Sequence, residues 1–197
     1  MARPAEQLVG HTLADGWIVE TLIPKSPNQT GGQFSTSYLV RSSDGAVAFL
    51  KAMDYQDALS SPDPATTLNA MTNAYLFERN LLRLCKEKRL SKVVRAITDG
   101  KIMVSGQPVE YLIFEMADGD IRKHLSQLRQ FDLAWRLRCI HNIFVGGQQL
   151  NNAQIAHQDL KPSNVLNYGN GGQKLADLGR AWYKAAPSPF DSLEAVS

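Results

Sequence analysis

His157-Gln158-Asp159-Leu160-Lys161-Pro162-Ser163-Asn164 is the stretch on which the reading of this chain turns. It is a polar loop, entered from a short apolar piece, Ile155-Ala156, and left by a short strand pattern, Val165-Leu166. A second short strand, Lys174-Leu175, follows Tyr168-Gly169-Asn170-Gly171-Gly172, which reads as a hairpin turn. Just beyond it stands Asp177-Leu178-Gly179. Two carboxylates, Asp159 and Asp177, therefore sit on loops beside short strands. Taken singly, such carboxylates mostly cap turns, and a histidine such as His157 more often packs than reacts.

Upstream of this loop, Ile121 to Leu128 and Leu133 to Leu150 read as helices, with Ala134, Leu137, Ile140, His141 and Phe144 near one face of the second. Before residue 120 the character is different. Residues 17–23, 36–42 and 46–52 read as strands, with Ser43-Asp44-Gly45 as a tight turn between the last two. The polar stretch Pro24 to Thr30 and the Ser- and Pro-containing residues 55–68 read as loops. Thr67 to Leu90 has helical spacing through Ala74, Leu76, Phe77, Leu81, Leu82, Leu84 and Cys85. Val93 to Ile97 and Val109 to Met116 are further strands, with Asp99-Gly100 and Ser105-Gly106 punctuating the ground between them. The expected class is α+β: a mostly antiparallel β part with one helix, then a mostly helical part, with the boundary at Ala117 to Gly119.

Composition narrows the function classes. At 44% hydrophobic and 20% charged, the chain matches ordinary soluble proteins. A net charge of +2, with Lys and Arg scattered rather than striped, gives no case for a nucleic-acid partner. Cys85 and Cys139 are far apart and form no C-x-x-C pair, which speaks against a zinc ribbon and fits two reduced thiols. No apolar run approaches the ~20 residues of a membrane span, and Met1-Ala2-Arg3-Pro4-Ala5-Glu6 lacks the apolar core of a signal peptide. A cytoplasmic protein without a membrane span is expected.

The loop from His157 to Asn164 resembles H-R-D-x-x-x-x-N, the catalytic loop of eukaryotic-type serine/threonine protein kinases. Other motifs of that family stand in order around it. Asp177-Leu178-Gly179 is similar to D-F-G, and Ala48-Phe49-Leu50-Lys51 to the strand motif V-A-I-K. Glu78, followed by Leu81-Leu82, resembles the helix glutamate that pairs with that lysine. Thr30-Gly31-Gly32-Gln33-Phe34-Ser35-Thr36-Ser37-Tyr38 is similar to the glycine-rich loop, and Tyr111 to Ala117 to the strand and hinge that clasp adenine. The resemblance runs over roughly residues 17–183. It implies a bilobal fold: an N-lobe at 1–116, a hinge at 117–119 and a C-lobe from 120 to 197.

It also implies ATP and Mg²⁺ as cofactors and a protein Ser/Thr hydroxyl as acceptor. Asp159 would orient the hydroxyl, and Lys161 would steady the γ-phosphate. Asn164 and Asp177 would bind metal, while Lys51, paired with Glu78, would position the phosphates. Gly31, Gly32, Phe34, Phe49, Lys51, Phe114 as gatekeeper, Glu115, Ala117 and Asp120 would surround the nucleotide. His157, Leu82 and Leu178 would belong to a hydrophobic spine.

Four departures accompany the resemblance. Phe49 stands where the family has a small adenine-lining residue, and the glycine loop has Thr30 and Ser35 at two glycine positions. Gln158 replaces the loop arginine that pairs with a phosphorylated activation segment. Ser197 lies only eighteen residues after Gly179, so a C-terminally truncated kinase is expected, with apolar surface left uncovered. These departures support a second reading, a pseudokinase-like nucleotide-binding or scaffold protein. A third reading, a small-molecule kinase akin to the antibiotic phosphotransferases, fits the Asp159-Leu-Lys-Pro-Ser-Asn164 loop less well.

Overall fold

The computed structural model describes residues 3–24, 34–127 and 133–186. It divides into two units, one of residues 1–72 and 96–116, the other of 73–95 and 117–197. The fold is α+β, of the bilobal protein-kinase type, with an antiparallel sheet first and helices after it.

The first unit is built on five antiparallel strands, β1 (Ile18–Ile23), β2 (Ser35–Arg41), β3 (Val47–Met53), β4 (Ala96–Val104) and β5 (Gln107–Glu115), in the order β1-β2-β3-β5-β4. Alternation sorts each strand into two faces. Tyr38 and Val40, then Ala48, Leu50 and Ala52, then Val109, Tyr111 and Ile113 share one buried face. Phe49 and Lys51 lie on the other. The β2–β3 turn closes with Gly45 at φ +87°, where Ser42 and Ala46 bond across it. The β4–β5 turn uses Ser105 and Gly106, both at positive φ, as a two-residue hairpin of the I′ kind requires.

The buried face is covered by a segment that strand and helix patterning alone does not reveal. Residues 3–17 fold as two 3-10 turns, Pro4–Glu6 and Ala14–Gly16, and put Ala5, Leu8, Leu13 and Trp17 into the core. Polar bonds pin this strap. The Tyr38 hydroxyl donates to the Ala5 carbonyl at 2.6 Å, and the Ala14 amide donates to the Tyr111 hydroxyl at 3.2 Å. The Arg3 guanidinium bridges Asp54 at 2.9 Å and Asp57 at 2.6 Å.

Two punctuation signals proved to lie inside structure. Asp99-Gly100 reads as a break, yet β4 runs straight through it. The ring of cross-strand Tyr111 lies over Gly100, and a Cβ there would stand 2.6 Å from the Tyr111 Cζ. Glycine is needed for close approach, not for a turn. Residues 55–68 read as loop, but contain the short helix α1 (Gln56–Leu59) and the start of α2 (Pro64–Glu87). Asp63 caps α2 by accepting the Thr66 amide at 3.2 Å, and Pro64 opens it, so the proline starts the helix instead of breaking it. Arg89, at φ +55°, ends it: Leu90 and Arg89 bond back to Cys85 and Lys86 in a Schellman pattern.

The second unit takes α2 from Asn73 onward and adds β6 (Gly119–Asp120), α3 (Ile121–Gln127), α4 (Leu133–Asn152), β7 (Ile155–Ala156), β8 (Val165–Asn167), β9 (Gln173–Leu175) and β10 (Trp182–Tyr183). Strands β6-β8-β9 form one small sheet, and β7-β10 another. α4 packs on β9 at Gly146, where an added Cβ would stand 2.9 Å from both Leu175 Cγ and the Lys92 carbonyl oxygen. An amide chain adds polar ties: Asn142 donates to Gln173, and Gln173 donates to Asn167, both at 2.9 Å. This packing sets the height of β8 and β9, the two strands that frame the His157–Asn164 loop and Asp177.

Candidate active site

The loop between β7 and β8 places its side chains by hydrogen bonds of its own. The Asp159 carboxylate accepts the Lys161 ammonium at 2.6 Å and the Asn164 amide at 3.0 Å. The same Asn164 nitrogen also donates to the Asp159 carbonyl at 2.9 Å. With its NH₂ so engaged, Asn164 keeps its amide oxygen as the group to present to a ligand. The 3-10 turn Pro162–Asn164 swings Asn164 back under Asp159 and buries it. Burial pushes the Asp159 carboxyl up. The hydrogen bond and charge of Lys161, the Asn164 amide and the charge of Arg180 outweigh that push, and hold it below the ordinary carboxylate value.

Asp177 follows β9 and sits in the left-handed region, φ +64° and ψ +73°. Gln158, beside Asp159, is also left-handed, at φ +58°. Asp tolerates this conformation better than most residues, whereas Gln in it is uncommon, and such backbone settings gather at functional sites. The chain is held there from both sides. The Ala176 amide donates to the Asn164 carbonyl at 2.9 Å, and His157 Nε2 lies 3.0 Å from the Ala176 carbonyl. A carbonyl can only accept, so Nε2 carries the proton. Nδ1 of His157 is buried and has no hydrogen-bond partner among the described residues. His157 is therefore a packing and tethering residue.

Glu78, on α2, is buried, and its carboxylate lies beside the Asp177–Gly179 turn. A Cβ on Gly179 would stand 3.8 Å from Glu78 Oε2 and 3.5 Å from Asp177 Oδ1. Leu178 is fully buried, and Leu82 nearly so. Within the second unit the structure thus brings together Asp159, Lys161 and Asn164 by direct bonds, and Asp177 and Glu78 around Gly179. Asp120 ends β6 and takes the Lys123 amide at 2.7 Å, capping α3, while the neighbouring Asp118 amide donates to the Asn167 carbonyl. Ala117 is half-buried beside Asp118.

The remaining candidates belong to the first unit. Lys51 and Phe49 lie on β3, in register with Leu112 and Phe114 of β5. The Phe49 and Phe114 rings meet with centroids 6.3 Å apart, tilted by 48°. Glu115 is the last residue of β5. Phe34 is half exposed just before β2, and its carbonyl accepts the Asp54 amide at 2.9 Å. Gly31 and Gly32 lie outside the described residues.

A hard divalent cation prefers oxygen ligands, and the Asn164 amide oxygen with the Asp177 carboxylate supplies that chemistry. Among the described residues no three His, Cys, Asp or Glu side chains converge as a metal cage. This donor set therefore fits a cation that arrives with phosphate oxygens to complete its shell.

Residues 30–194, most of the chain, match the protein kinase domain family. The chain belongs to that family. Among similar proteins, a probable cell division protein kinase of Encephalitozoon cuniculi is 25% identical over 153 residues, covering 77% of this chain and 45% of that protein. Cyclin-dependent kinase F-1 of Arabidopsis thaliana is 28% identical over 152 residues, covering 76% of this chain and 29% of its own length. Protein kinase C-like 1 of Caenorhabditis elegans is 38% identical over a shorter stretch of 84 residues, 41% of this chain and 12% of its own length. The kinase chain thus spans less than half the length of these relatives. Among its described residues, no helix is long and apolar enough to cross a membrane.

Two polar residues of this kinase domain escape a motif reading. Arg180 directly follows Gly179 and adds its charge to the Asp159 carboxylate. Arg122, on α3, donates to the Ser163 hydroxyl of the loop at 3.1 Å. The first had a signal in its adjacency to Asp177-Leu-Gly179. The second had none, because α3 and the loop are 41 residues apart.

Proposed function

We propose that this kinase domain transfers the γ-phosphoryl group of ATP to serine or threonine hydroxyls of proteins. The observation that carries the reading is the Asp159 carboxylate, held ionised and oriented by Lys161 and Asn164 in one closed hydrogen-bonded loop. Phosphoryl transfer asks a protein chiefly for positioning and charge. Mg-ATP, when bound, supplies the electrophilic phosphorus and its own charge compensation. Asp159 accepts a hydrogen bond from the attacking hydroxyl and aligns its lone pair. Lys161, already paired with Asp159, is close enough to share its charge with an incoming phosphate. The Asn164 amide oxygen and the Asp177 carboxylate hold the cation. Lys51 and Glu78 take the phosphate-positioning roles, and Gly31, Gly32, Phe34, Phe49, Phe114, Glu115, Ala117 and Asp120 the nucleotide-lining ones. Residues 1–116 serve as N-lobe, 117–119 as hinge and 120–197 as the C-lobe part. The choice of Ser/Thr over Tyr rests on Lys161, and the family's cytoplasmic setting is adopted with it.

One observation favours a second reading, a nucleotide-binding scaffold without turnover. The Phe49 ring packs on Phe114 and occupies sheet surface that a small residue would leave for the base. Incubation of the purified chain with Mg-ATP and a Ser/Thr peptide library separates the two. Phosphoserine or phosphothreonine should form, and Asp159→Asn and Asp177→Asn should each lower the rate by at least about 100-fold. Thermal stabilisation by Mg-ATP with no transfer would give the scaffold reading the site. No stabilisation and no transfer would remove both.

A further inference from the structure

α4 has two apolar faces, and the fold uses one of them. Cys139, Gly146 and Leu150 are its buried residues. At about 100° per residue, Leu133, Leu137, Ile140 and Phe144 form a second stripe, turned roughly 130° away from the first. These four side chains belong to residues that are 70%, 58%, 51% and 74% exposed. Single exposed apolar residues are ordinary on a protein surface, but a continuous stripe of large ones marks an interaction site. The stripe is also held in place from behind. The close approach of Gly146 to Leu175 and the Asn142–Gln173 hydrogen bond seat α4 on β9.

The spacing of the stripe points to its occupant. Its intervals are four, three and four residues, the repeat of a coiled-coil seam. The series reads the same in both directions. Laid antiparallel on a second copy about a twofold axis, Leu137 meets Ile140 and Leu133 meets Phe144, so every large side chain finds an apolar partner. A foreign helix has no need of that symmetry. The edges of the stripe carry Arg136 and His141, and α4 has no Asp or Glu. Exposed cations at the rim of such a pair repel one another weakly, and salt screens them.

We infer that the Leu133–Phe144 face of α4 is a docking surface for a second copy of this chain, joined as an antiparallel, twofold-symmetric helix pair. Two stripes with their rims come to ~1,000 Å², the low end for a specific interface, so the dimer should dissociate at about 10–100 μM. None of the residues assigned to nucleotide, cation or acceptor takes part.

Sedimentation velocity on the purified chain, at concentrations that bracket this range, tests it. The mass should rise from that of one chain to that of two and stop there, and added salt should favour the dimer. Phe144→Glu or Leu137→Glu places a charge in the seam twice over and should weaken pairing at least about 100-fold. Both positions are exposed, so the urea midpoint of the dilute chain should not move. Leu133→Cys and Phe144→Cys, mixed and oxidised with diamide, should cross-link to each other and not each to itself; the native Cys85 and Cys139 are buried and do not compete. A monomer at every concentration, an open-ended assembly, a dimer indifferent to Phe144→Glu, or Leu133→Cys cross-linked to itself would overturn the inference. So would a monomer whose urea midpoint falls in Phe144→Glu, which gives the face to the chain's own residues. A monomer that binds a fluorescein-labelled acidic amphipathic peptide through Phe144 would overturn it too, and give the face to a foreign helix.

Discussion

Two adjacent glycines on α4 should answer the same substitution with opposite signs. A Cβ added at Gly146 would stand 2.9 Å from Leu175 Cγ, 3.0 Å from Leu175 Cδ1 and 2.9 Å from the Lys92 carbonyl oxygen. None of these can yield easily. Leu175 is 1% exposed, and the Lys92 carbonyl accepts the Leu175 amide at 2.9 Å. At Gly147 nothing lies within 4 Å of the same added atom. Alanine gains roughly 1 kcal/mol over glycine in a helix interior. At Gly147 that gain stands alone, so Gly147→Ala should stabilise by about 0.5–1 kcal/mol. At Gly146 overpacking costs about 1–3 kcal/mol and more than cancels it, leaving a net loss of about 1 kcal/mol.

The difference between the two variants should thus be about 2 kcal/mol in urea unfolding, or roughly 6 °C in Tm for a chain of this size. The comparison is internal, since both variants remove one glycine from the same helix. Equal midpoints for the two would mean that α4 does not rest on β9 through Gly146. The account of what sets the height of Asp177 would fall with it.

Two further outcomes follow from the polar contacts. Tyr38→Phe should destabilise by about 1–2 kcal/mol in urea unfolding, because the buried Ala5 carbonyl loses its donor; an unchanged midpoint would mean the strap is not held at Ala5. Lys161→Met removes the hydrogen bond and charge that lower the Asp159 carboxyl, while burial still raises it, so its carboxyl ¹³C titration should move upward in pH. A lowered folded-state value contributes stability present above the ordinary 3.8 and lost as pH falls through the folded value, so the variant should also lose less stability on acidification below 3.8.

The parts of the fold written in local pattern were legible in the sequence, and the parts written in distant contacts were not. Alternation in β2, β3 and β5 and the spacing of Leu81, Leu82 and Cys85 give strands and helix directly. The order of Asp159, Lys161 and Asn164 gives the loop, because their bonds span five residues or fewer within it. The strap of residues 3–17 has no period. Its core residues Ala5, Leu8, Leu13 and Trp17 are spaced for 3-10 turns and extended pieces, a pattern that matches neither 2 nor 3.6. Gly100 reads as a break because glycine announces permissive backbone, and only cross-strand Tyr111 shows that the need is space. Arg89 ends α2 in a left-handed conformation that glycine usually takes, so the sequence carried no stop signal at that position.

The two functional readings divide along the two units. The hydrogen-bonded loop that carries the turnover reading lies in the second. The Asp159 loop, the Asn164–Ala176 tie, the His157 tether and Asp177 form one polar assembly beside β9, on which α4 packs. The feature that favours a silent nucleotide binder lies in the first, where the Phe49 ring meets Phe114 on β3 and β5. The deciding quantity is therefore nucleotide affinity and not the geometry of the catalytic loop. Under the proposed reading, a chain with this loop and adequate affinity would have in Asp159 the hydroxyl-orienting carboxylate, in Lys161 its ammonium partner, and in Asn164 and Asp177 two oxygen ligands for a cation. The same loop behind a closed base site would keep its hydrogen bonds and do nothing with them.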